Sequence, residues 1–253
     1  MQSNETSAET AKLQNFRIPD KPDDHYIRKM FDHMARRYDI FTKLIGLGQD
    51  QRLRQEALVG LKKGMRMLDL ACGTGDLAIL AAHRIGVDGE ITGLDFSAGM
   101  LKYAQERCRQ LGSETAGRIR WIHGKAEDLP LEGQKFDFIV SGYALRNFYE
   151  NIEVILIRVR ESLTKNGQIA FLDLTEPVNP LFKMLYRFYM FLFVGIYGMV
   201  LFGKEYPIPY LPKSSARFFK ANEFVRELHK AGFCEITKQS FMLGAVTLYR
   251  ARR

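Results

Sequence analysis

A glycine-rich turn at residues 69–76, with the sequence DLACGTGD, is the clearest candidate for a ligand-binding site. It follows a short apolar run at 65–71 and precedes a stretch with helical spacing, as expected where a parallel strand passes into a helix. Gly73 and Gly75 would let a ligand approach the backbone closely. Asp95 ends the next predicted strand, where a carboxylate can bind ribose hydroxyls. The pattern predicts a site for a nucleoside-containing cofactor.

The charges of this turn distinguish between two cofactors. Asp69 and Asp76 would repel the pyrophosphate of a dinucleotide such as NAD, whereas carboxylates favour the ammonium and sulfonium groups of S-adenosylmethionine. We therefore predict S-adenosylmethionine. NAD, or a tight turn that binds nothing, remain the alternatives at this point.

Two later segments extend the predicted site. The segment 126–130, AEDLP, follows the third predicted strand and can cover an adenine, although a plain surface turn would look the same. The segment 142–147, GYALRN, ends the fourth strand, so three of its side chains would stand beside the transferred methyl group: Tyr143, Arg146 and Asn147. A structural salt bridge is the alternative role for Arg146.

The elements that must position these residues alternate between strand and helix. Strands are predicted at 65–71, 90–95, 118–123, 136–142 and 168–173, and helices at 77–84, 98–111 and 152–163. A helix at 222–231 and a hairpin of two strands, 234–240 and 245–250, follow. This order predicts an α/β fold with a mostly parallel sheet, helices on both faces and ligands at the carboxyl ends of the strands.

The segments outside this alternation differ in character. Residues 1–24 are polar and predict a flexible arm, and 25–253 then form one domain. Within it, apolar residues at three- and four-residue steps in 25–61 predict a helical cover, and 179–215 predicts an apolar insertion over the substrate.

The insertion contains an uncharged aromatic run at 188–203. Its 16 residues are fewer than the about 20 that span a bilayer, so we do not predict a transmembrane helix. Four aromatic side chains of this run could line a trough for a lipid tail: Phe188, Phe191, Phe193 and Tyr197. A core helix is the alternative.

Composition restricts the partners and the compartment. The net charge of +8 suits an anionic membrane surface or nucleic acid, but no nucleic-acid-binding signature is present. Three separated cysteines and a polar start favour the cytoplasm, with the inner face of the membrane as a place of peripheral binding. The histidines show no metal-ligand spacing, so we assign no metal. Assembly into a homodimer is a further expectation.

The motifs together resemble one family. The segments MFDHMARRYDIFTKLIGLGQDQRLRQEAL, MLDLACGTGD, GLDFSAGML, KAEDLP, FDFIVSGYALRNF and GAVTLYRARR are similar to those of the ubiquinone/menaquinone biosynthesis C-methyltransferases, the UbiE/MenG group. The resemblance extends over residues 31–250. Lys125 and Gly142 stand where the family has Asn and Ser, LDLTEP replaces an LEFSKP-like stretch, and Tyr249 replaces a His.

The resemblance implies a class I methyltransferase fold with a seven-stranded, Rossmann-like sheet. It implies that Thr74, Asp95, Lys125 and Ala126 bind the donor, that Tyr38 closes over it, and that Arg146 and Asn147 face the acceptor. The predicted donor-binding residues are Tyr38, Asp69, Gly73, Thr74, Gly75, Asp95, Phe96, Lys125, Ala126, Glu127 and Gly142. The predicted catalytic residues are Asp173, Arg146, Asn147 and Tyr143.

The expected reaction is methylation of a ring carbon of a lipid-tailed quinol, with demethylmenaquinol as the first choice. A quinol carbon becomes nucleophilic when a phenol loses its proton, so the site needs a group that polarises or deprotonates it. Asp173, at the end of the fifth strand, is the first candidate for this role, followed by Tyr143 and His33. The alternatives are a methyltransferase for another lipid or small aromatic, and a non-catalytic scaffold with the same fold.

Overall fold

The computed structural model describes residues 24–129, 133–202 and 220–253. The helices are α1 (Asp24–Ile45), α2 (Asp50–Ala57), α3 (Asp76–Ala82), α4 (Ala98–Gln110), the short α5 (Ser113–Ala116), α6 (Ile152–Ser162), α7 (Pro180–Phe202) and α8 (Ala221–Lys230). The strands are β1 (Arg66–Leu70), β2 (Glu90–Asp95), β3 (Ile119–His123), β4 (Phe136–Gly142), β5 (Leu163–Leu174), β6 (Cys234–Phe241) and β7 (Val246–Arg252). Two 3₁₀ turns, Leu145–Asn151 and Met242–Gly244, precede α6 and β7.

The seven strands form one sheet in the order β3-β2-β1-β4-β5-β7-β6. Strands β1 to β5 are parallel, and β7 pairs antiparallel with both β5 and β6. The strand order reverses at β1, which is where open α/β sheets bind ligands. The predicted fold class is confirmed.

Each central strand contributes to two hydrophobic cores because successive side chains point to opposite faces of a sheet. Met67 of β1 and Phe138 of β4 belong to one cluster, with α1 and α3, whereas Leu68 and Ile139 belong to the other, with α6 and α8. Burial on both faces explains why β1 is a continuous apolar run rather than an alternating one.

The helical cover predicted at 25–61 consists of α1 and α2, and the predicted insertion contains α7. The arm predicted at 1–24 lies outside the described residues apart from its last residue, as does the part of the insertion from 203 to 215. One boundary was wrong: β5 begins at Leu163, directly after α6, and not at 168.

Helix α7 is longer than the uncharged run that suggested it. It has 23 residues with a mean hydropathy of 1.7 in its most apolar window, and 28% of that window is buried. By length and composition alone it could cross a membrane, and it is the one such helix in the described part of the chain.

Candidate active site

Helix α1 crosses the carboxyl ends of the strands and is fixed there by two aspartates. Asp32 Oδ1 accepts hydrogen bonds from the Ser97 hydroxyl at 2.5 Å and from the Gly99 amide at 2.8 Å. Asp39 Oδ1 accepts one from the Thr74 hydroxyl at 2.6 Å. The cover is thereby bonded to the glycine-rich turn and to the turn after β2, the two segments predicted to bind the donor.

An ion-pair network continues from this contact. Arg107 of α4 lies 3.0 Å from Asp39 and 2.8 Å from Asp76, and Arg54 of α2 lies 3.0 Å from the other oxygen of Asp76. Burial alone would raise the pKa of Asp76, but the two guanidinium groups hold it below its usual value. The charge of Asp76 is therefore compensated within the protein, so Asp76 does not repel a pyrophosphate as we predicted. Of the two carboxylates that flank the turn, Asp69 remains to do so.

Asp69 remains a buried carboxylate with little compensation. Its Oδ2 accepts a hydrogen bond from the Ala78 amide at 2.9 Å, and its Oδ1 has no hydrogen-bond partner among the described residues. Burial raises the pKa of Asp69 to about 7. A cation placed nearby would stabilise the ionised form, so the site suits the ammonium or sulfonium of S-adenosylmethionine.

Asp95 lies at the end of β2 beside the glycine-rich turn. Its carboxylate accepts hydrogen bonds from the Gly73 amide at 2.7 Å and the Ser97 amide at 2.8 Å. These bonds aim the carboxylate into the turn, while burial raises its pKa to about 6. Each oxygen keeps a further lone pair with which it can accept a ribose hydroxyl.

A cleft of about 50 Å³ opens next to Asp95. Its wall includes most of the predicted adenosine-binding residues: Asp95, Phe96, Lys125, Ala126 and Glu127. Glu127 is oriented by a hydrogen bond from Asn151 Nδ2 at 2.8 Å. Asn147, which we expected to face the acceptor, also lies on this wall, so its position gives it a place beside the donor instead.

The glycines of the site have different roles. A β-carbon added to Gly73 would meet nothing within 4 Å, whereas one added to Gly75 would lie 2.6 Å from the Trp121 ring and 3.1 Å from Ala104. A β-carbon at Gly142 would lie 2.9 Å from Leu77. Gly73 thus leaves open space above the turn. Gly75 and Gly142 instead pack closely against neighbouring side chains, so their positions do not support the prediction that these two glycines admit the donor.

This difference predicts opposite phenotypes for two matched variants. Both glycines have positive φ angles, 54° and 81°, so an alanine at either adds strain of about 1 kcal/mol or more. Gly73→Ala should keep its fold and bind S-adenosylmethionine about tenfold more weakly. Gly75→Ala should lose a further 1–3 kcal/mol or so of unfolding free energy because its methyl overpacks the Trp121 contact. Calorimetric titration and thermal unfolding of both variants would test this, and equal effects on binding would contradict it.

A second cavity, of about 290 Å³, lies on the other side of α1. Its wall is mostly apolar and comes from α1, α7, the end of β5 and the β6–β7 corner. Phe31 is on the wall and packs edge-on against Phe96 of the first cleft, with ring centroids 6.2 Å apart. Tyr38 lines this larger cavity and not the smaller cleft, and its ring centroid lies 6.0 Å from that of Phe31. The two aromatic residues therefore stand between the donor cleft and the apolar cavity.

Arg146 places a positive charge on the wall of the apolar cavity. Its side chain is 4% exposed, and its Nη1 donates to the Tyr143 carbonyl at 2.6 Å and to Asp173 Oδ1 at 2.7 Å. Asp173 itself is fully buried, is absent from the wall and also accepts from the backbone amides of Arg146 and Leu174. Asp173 is thus placed behind Arg146 and not against an acceptor.

The other two candidate bases are placed differently. Tyr143 lines the cavity and has a φ of 62°. Its backbone amide donates a hydrogen bond to the Leu172 carbonyl at 2.6 Å, which helps to hold this conformation. Burial raises the pKa of Tyr143 to about 12, so it is a hydrogen-bonding group at neutral pH and not a base. The Arg54 guanidinium lies over its ring at 5.4 Å. His33 is exposed on α1 and does not line the cavity.

The four aromatic side chains predicted to line a trough do not line the larger cavity. The part of its wall that α7 contributes consists of Phe182, Leu185, Tyr186, Tyr189 and Met190. None of Phe188, Phe191, Phe193 and Tyr197 is on the wall. Phe193 instead stacks on Tyr189 with centroids 5.5 Å apart. Nearly all faces of this helix are apolar, so its sequence pattern did not show which face turns inward.

The residues that sequence analysis missed are Asp32, Asp39, Arg54 and Arg107. One signal could have revealed the first two. Phe31-Asp32 and Tyr38-Asp39 repeat the same pair after seven residues, which is two helical turns. A helix with this repeat presents two aromatic rings on one face and two carboxylates on the adjacent face.

Comparison with known proteins identifies the family. The family model described as the ubiE/COQ5 methyltransferase family matches residues 20–253. The chain belongs to this family. It is an S-adenosylmethionine-dependent methyltransferase, and the predictions of family, enzyme class and methyl donor are confirmed.

Two kinds of relative support this placement. Proteins named demethylmenaquinone methyltransferase from Staphylococcus aureus strains JH9 and Newman are 28% identical over 231 residues, 90% of this chain and 93% of theirs. Among solved structures, the cyclase SpnF has a TM-score of 0.66 at 15% identity, covering 92% of this chain and 97% of its own. A methyltransferase from Aquifex aeolicus has a TM-score of 0.58 at 17% identity, covering 84% and 97%. These structures establish the fold.

Proposed function

We propose that this ubiE/COQ5 family member transfers a methyl group to a ring carbon of a lipid-tailed quinol, with demethylmenaquinol as the acceptor. One observation carries the proposal: an apolar cavity with a buried cation, Arg146, lies across Phe31 and Tyr38 from the donor cleft. An apolar acceptor that must become negatively charged fits such a cavity. The name of the Staphylococcus aureus relatives supports this choice of acceptor.

The magnitudes favour charge stabilisation by Arg146 over proton abstraction by a carboxylate. A phenol with a pKa of about 10 costs about 4 kcal/mol to ionise at pH 7. A guanidinium within a few ångströms lowers the pKa of an acidic group by about 1–3 units, and more where water is excluded. The ion pair with Asp173 offsets part of this charge, so hydrogen bonds from the guanidinium to the phenolate oxygen must contribute to the stabilisation. Among the described residues, the cavity wall carries no carboxylate or imidazole. We infer that the phenol proton leaves to water while Arg146 holds the phenolate. The ring carbon then takes the methyl as the bond from sulfur to methyl breaks, which leaves S-adenosylhomocysteine. The hydrogen of that carbon departs as a second proton to water, and the oxygen regains a proton to give the methylated quinol.

The remaining residues orient this pair. Bound S-adenosylmethionine supplies an electrophilic methyl group on a sulfonium. Asp173 fixes the Arg146 guanidinium by the 2.7 Å ion pair, and we assign it this positioning role in place of the base role. Tyr143 and Tyr38 bring hydroxyl groups to the same cavity and can orient the ring. Phe31 and the apolar wall keep water away from the reacting carbon.

The deciding experiment is methylation with an isotopically labelled donor. The protein, S-adenosylmethionine with a labelled methyl group and chemically reduced demethylmenaquinol should give menaquinol with the label on the ring, detected by mass spectrometry. The unreduced quinone is the matched control and should remain unlabelled. Turnover of an acceptor without prior reduction would favour a methyltransferase for another aromatic, and donor binding without turnover of any quinol would favour the scaffold.

The tail-binding part of the cavity can be tested by a pair of leucines on α7. Leu185 lines the cavity and Leu181, one turn earlier, does not, yet they are similarly exposed at 52% and 57%. In detergent solution, Leu185→Glu should raise the KM for a long-tailed quinol about tenfold, with a smaller effect for a tail-less analogue. Leu181→Glu should leave both values near those of the unmodified protein. Equal effects of Leu185→Glu on both acceptors would contradict a role in tail binding.

A lipid-tailed acceptor also implies a location. We propose that the protein acts in the cytoplasm at the inner face of the membrane, where the acceptor resides. Fractionation of cells should then recover it from both the soluble and the washed membrane fractions.

A further inference from the structure

The outward face of α7 is unusually apolar for a surface in water. Six apolar side chains that share one face of its first half are 36–72% exposed: Leu181, Met184, Leu185, Phe188, Phe191 and Leu192. We refer to these six as the outer stripe. Its largest side chains, Phe188 and Phe191, are also among its most exposed, at 59% and 72%. An exposed patch of this composition marks an interaction surface.

The outer stripe continues into the rim of the apolar cavity. Leu47, after α1, and Leu243, at the β6–β7 corner, both line the cavity and are 61% and 69% exposed. Both have left-handed backbone conformations, with φ angles of 49° and 57°. A left-handed backbone costs conformational energy in a leucine, and exposing its side chain to water adds an unfavourable hydration term. We refer to Leu47 and Leu243 as the rim leucines, and both costs would be offset by a partner that receives apolar side chains. Leu185 belongs to both the outer stripe and the cavity wall, which joins the two features.

The charges beside this surface are suited to anionic lipids. The charged residues of α7 are Lys183 and Arg187, which lie 2.6 Å and 2.7 Å from the oxygens of Glu176, so this group of three is net positive. Near the other end of α7, Arg37 donates to the Leu201 carbonyl, which is a neutral partner, and it has no ion pair with a carboxylate among the described residues. Basic side chains that border an apolar helix face are typical of helices bound at a membrane surface.

The inner side of α7 shows how the helix would lie. The Tyr189 hydroxyl donates to the carbonyls of Leu44 and Ile45 at 3.2 Å and 3.1 Å, and Met190 and Val194 are buried. Helix α1, which receives these bonds, is itself bonded to the donor-binding turns. A membrane-spanning position for α7 would break these contacts, whereas a position parallel to the surface keeps them.

We propose that the outer stripe and the rim leucines dock on the surface of an anionic lipid bilayer, with α7 parallel to the membrane and the cavity open toward the acyl chains. The docking surface deepens the proposed function, because it would let a lipid-tailed acceptor enter the cavity without passing through water. Its geometry does not depend on which quinol is methylated.

Vesicle flotation measures docking without any turnover. The full chain should float with vesicles of about three parts phosphatidylcholine to one part phosphatidylglycerol, and less with phosphatidylcholine alone or at high salt. The double variant Phe188→Glu/Phe191→Glu should reduce the bound fraction about tenfold or more. The matched control is Val87→Glu, because Val87 is 78% exposed and lies in the turn at the amino end of β2, whereas the apolar cavity lies at the carboxyl ends of the strands. Thermal unfolding and donor binding should be unchanged in these variants.

Each other outcome overturns the proposal. Wild-type protein that does not float, or a double variant that floats as well as wild type, would exclude lipid docking by this face. Protein that resists removal by alkaline carbonate would indicate a spanning α7. A wild-type dimer that the double variant converts to monomers, without flotation, would assign the face to a second copy. Labelled methyl transfer to a quinol in detergent tests the proposed function separately, so the two can fail independently.

Discussion

Replacing Arg146 by leucine is expected to lower kcat for quinol methylation by about 10²–10³-fold while leaving the affinity for S-adenosylmethionine nearly unchanged. Arg146 is a cation on the wall of the larger cavity, and the donor cleft is formed by other residues. Its loss removes the charge that stabilises the phenolate formed during the reaction. Steady-state kinetics with a reduced acceptor and calorimetric titration of the donor would measure the two effects.

The pH profile separates this role from a purely structural one. Without Arg146 the acceptor must ionise at its own pKa, near 10 for a phenol. The deficit of Arg146→Leu should therefore shrink as the pH is raised toward that value, and Arg146→Lys should show an intermediate deficit. A deficit that stays constant with pH would contradict phenolate stabilisation.

Folding of the variant needs its own control because the ion pair with Asp173 is buried. Removing only the arginine leaves the Asp173 carboxylate without its cation and can cost about 3–5 kcal/mol of unfolding free energy. The double variant Arg146→Leu/Asp173→Asn removes both charges, keeps an acceptor for the backbone amides of Arg146 and Leu174, and should regain much of that stability without regaining activity. Recovery of activity in the double variant would show that Arg146 acts only through the fold.

Asp173→Asn tests the positioning role that the structure gives this carboxylate. The variant keeps a hydrogen-bond acceptor but loses the charge that fixes the guanidinium at 2.7 Å. We expect kcat to fall about tenfold or more, with a pH profile of the same shape as that of the unmodified protein. Full turnover at every pH would remove Asp173 from the reaction altogether.

The sequence predicted the sheet well because its central strands are buried on both faces. The run 65–71 leads into the glycine-rich turn and the run 90–95 ends in Asp95, and both are buried over nearly their whole length, which leaves few alternatives to a parallel sheet. The start of β5 was missed because its first residues, LTKNG, look like a turn. The pairing of Leu163 with Phe136 is followed by that of Gln168 with Phe138, so four residues of β5 bulge out between two ladder contacts.

The sequence predicted many of the residues that form the candidate site, but it did not predict which of the two cavities each of them lines. Arg146 and Asn147 are neighbours in a 3₁₀ turn, where successive side chains point about 120° apart. One therefore reaches the apolar cavity and the other the donor cleft, which no spacing rule revealed. The network of Arg54, Arg107 and Asp76 was missed for a related reason, since its members come from three helices far apart in sequence.

Replacing Asp95 by alanine is expected to weaken binding of S-adenosylmethionine about 100-fold, the largest effect on donor affinity that we predict. The carboxylate is aimed into the turn by the amides of Gly73 and Ser97, which would lose their acceptor as the ribose hydroxyls lose theirs. Asp95→Asn keeps one acceptor oxygen and should show a smaller loss. An Asp95→Ala protein that binds the donor normally would exclude ribose binding by this residue.

The raised pKa of Asp95 makes donor affinity and stability respond to pH in opposite directions. Its value of about 6 exceeds the ordinary 3.8, so between these values the native state binds more protons than the unfolded chain does. The contribution of Asp95 to the stability of the free protein therefore increases as the pH falls from about 6 toward 4. Asp69, with its pKa raised to about 7, acts in the same direction.

Donor binding requires the ionised carboxylate and should therefore weaken as the pH falls below 6, by up to about tenfold for each pH unit. Titration calorimetry in buffers of different ionisation enthalpy should show protons released on binding near pH 5.5 or so. Asp95→Asn should lose the part of this release that comes from Asp95 and keep the part that comes from Asp69, whereas Asp88→Asn, a change at an exposed aspartate before β2, should lose neither. If the Asp95→Asn protein released as many protons as wild type, the release would have to be assigned to Asp69, whose Oδ1 has no hydrogen-bond partner among the described residues.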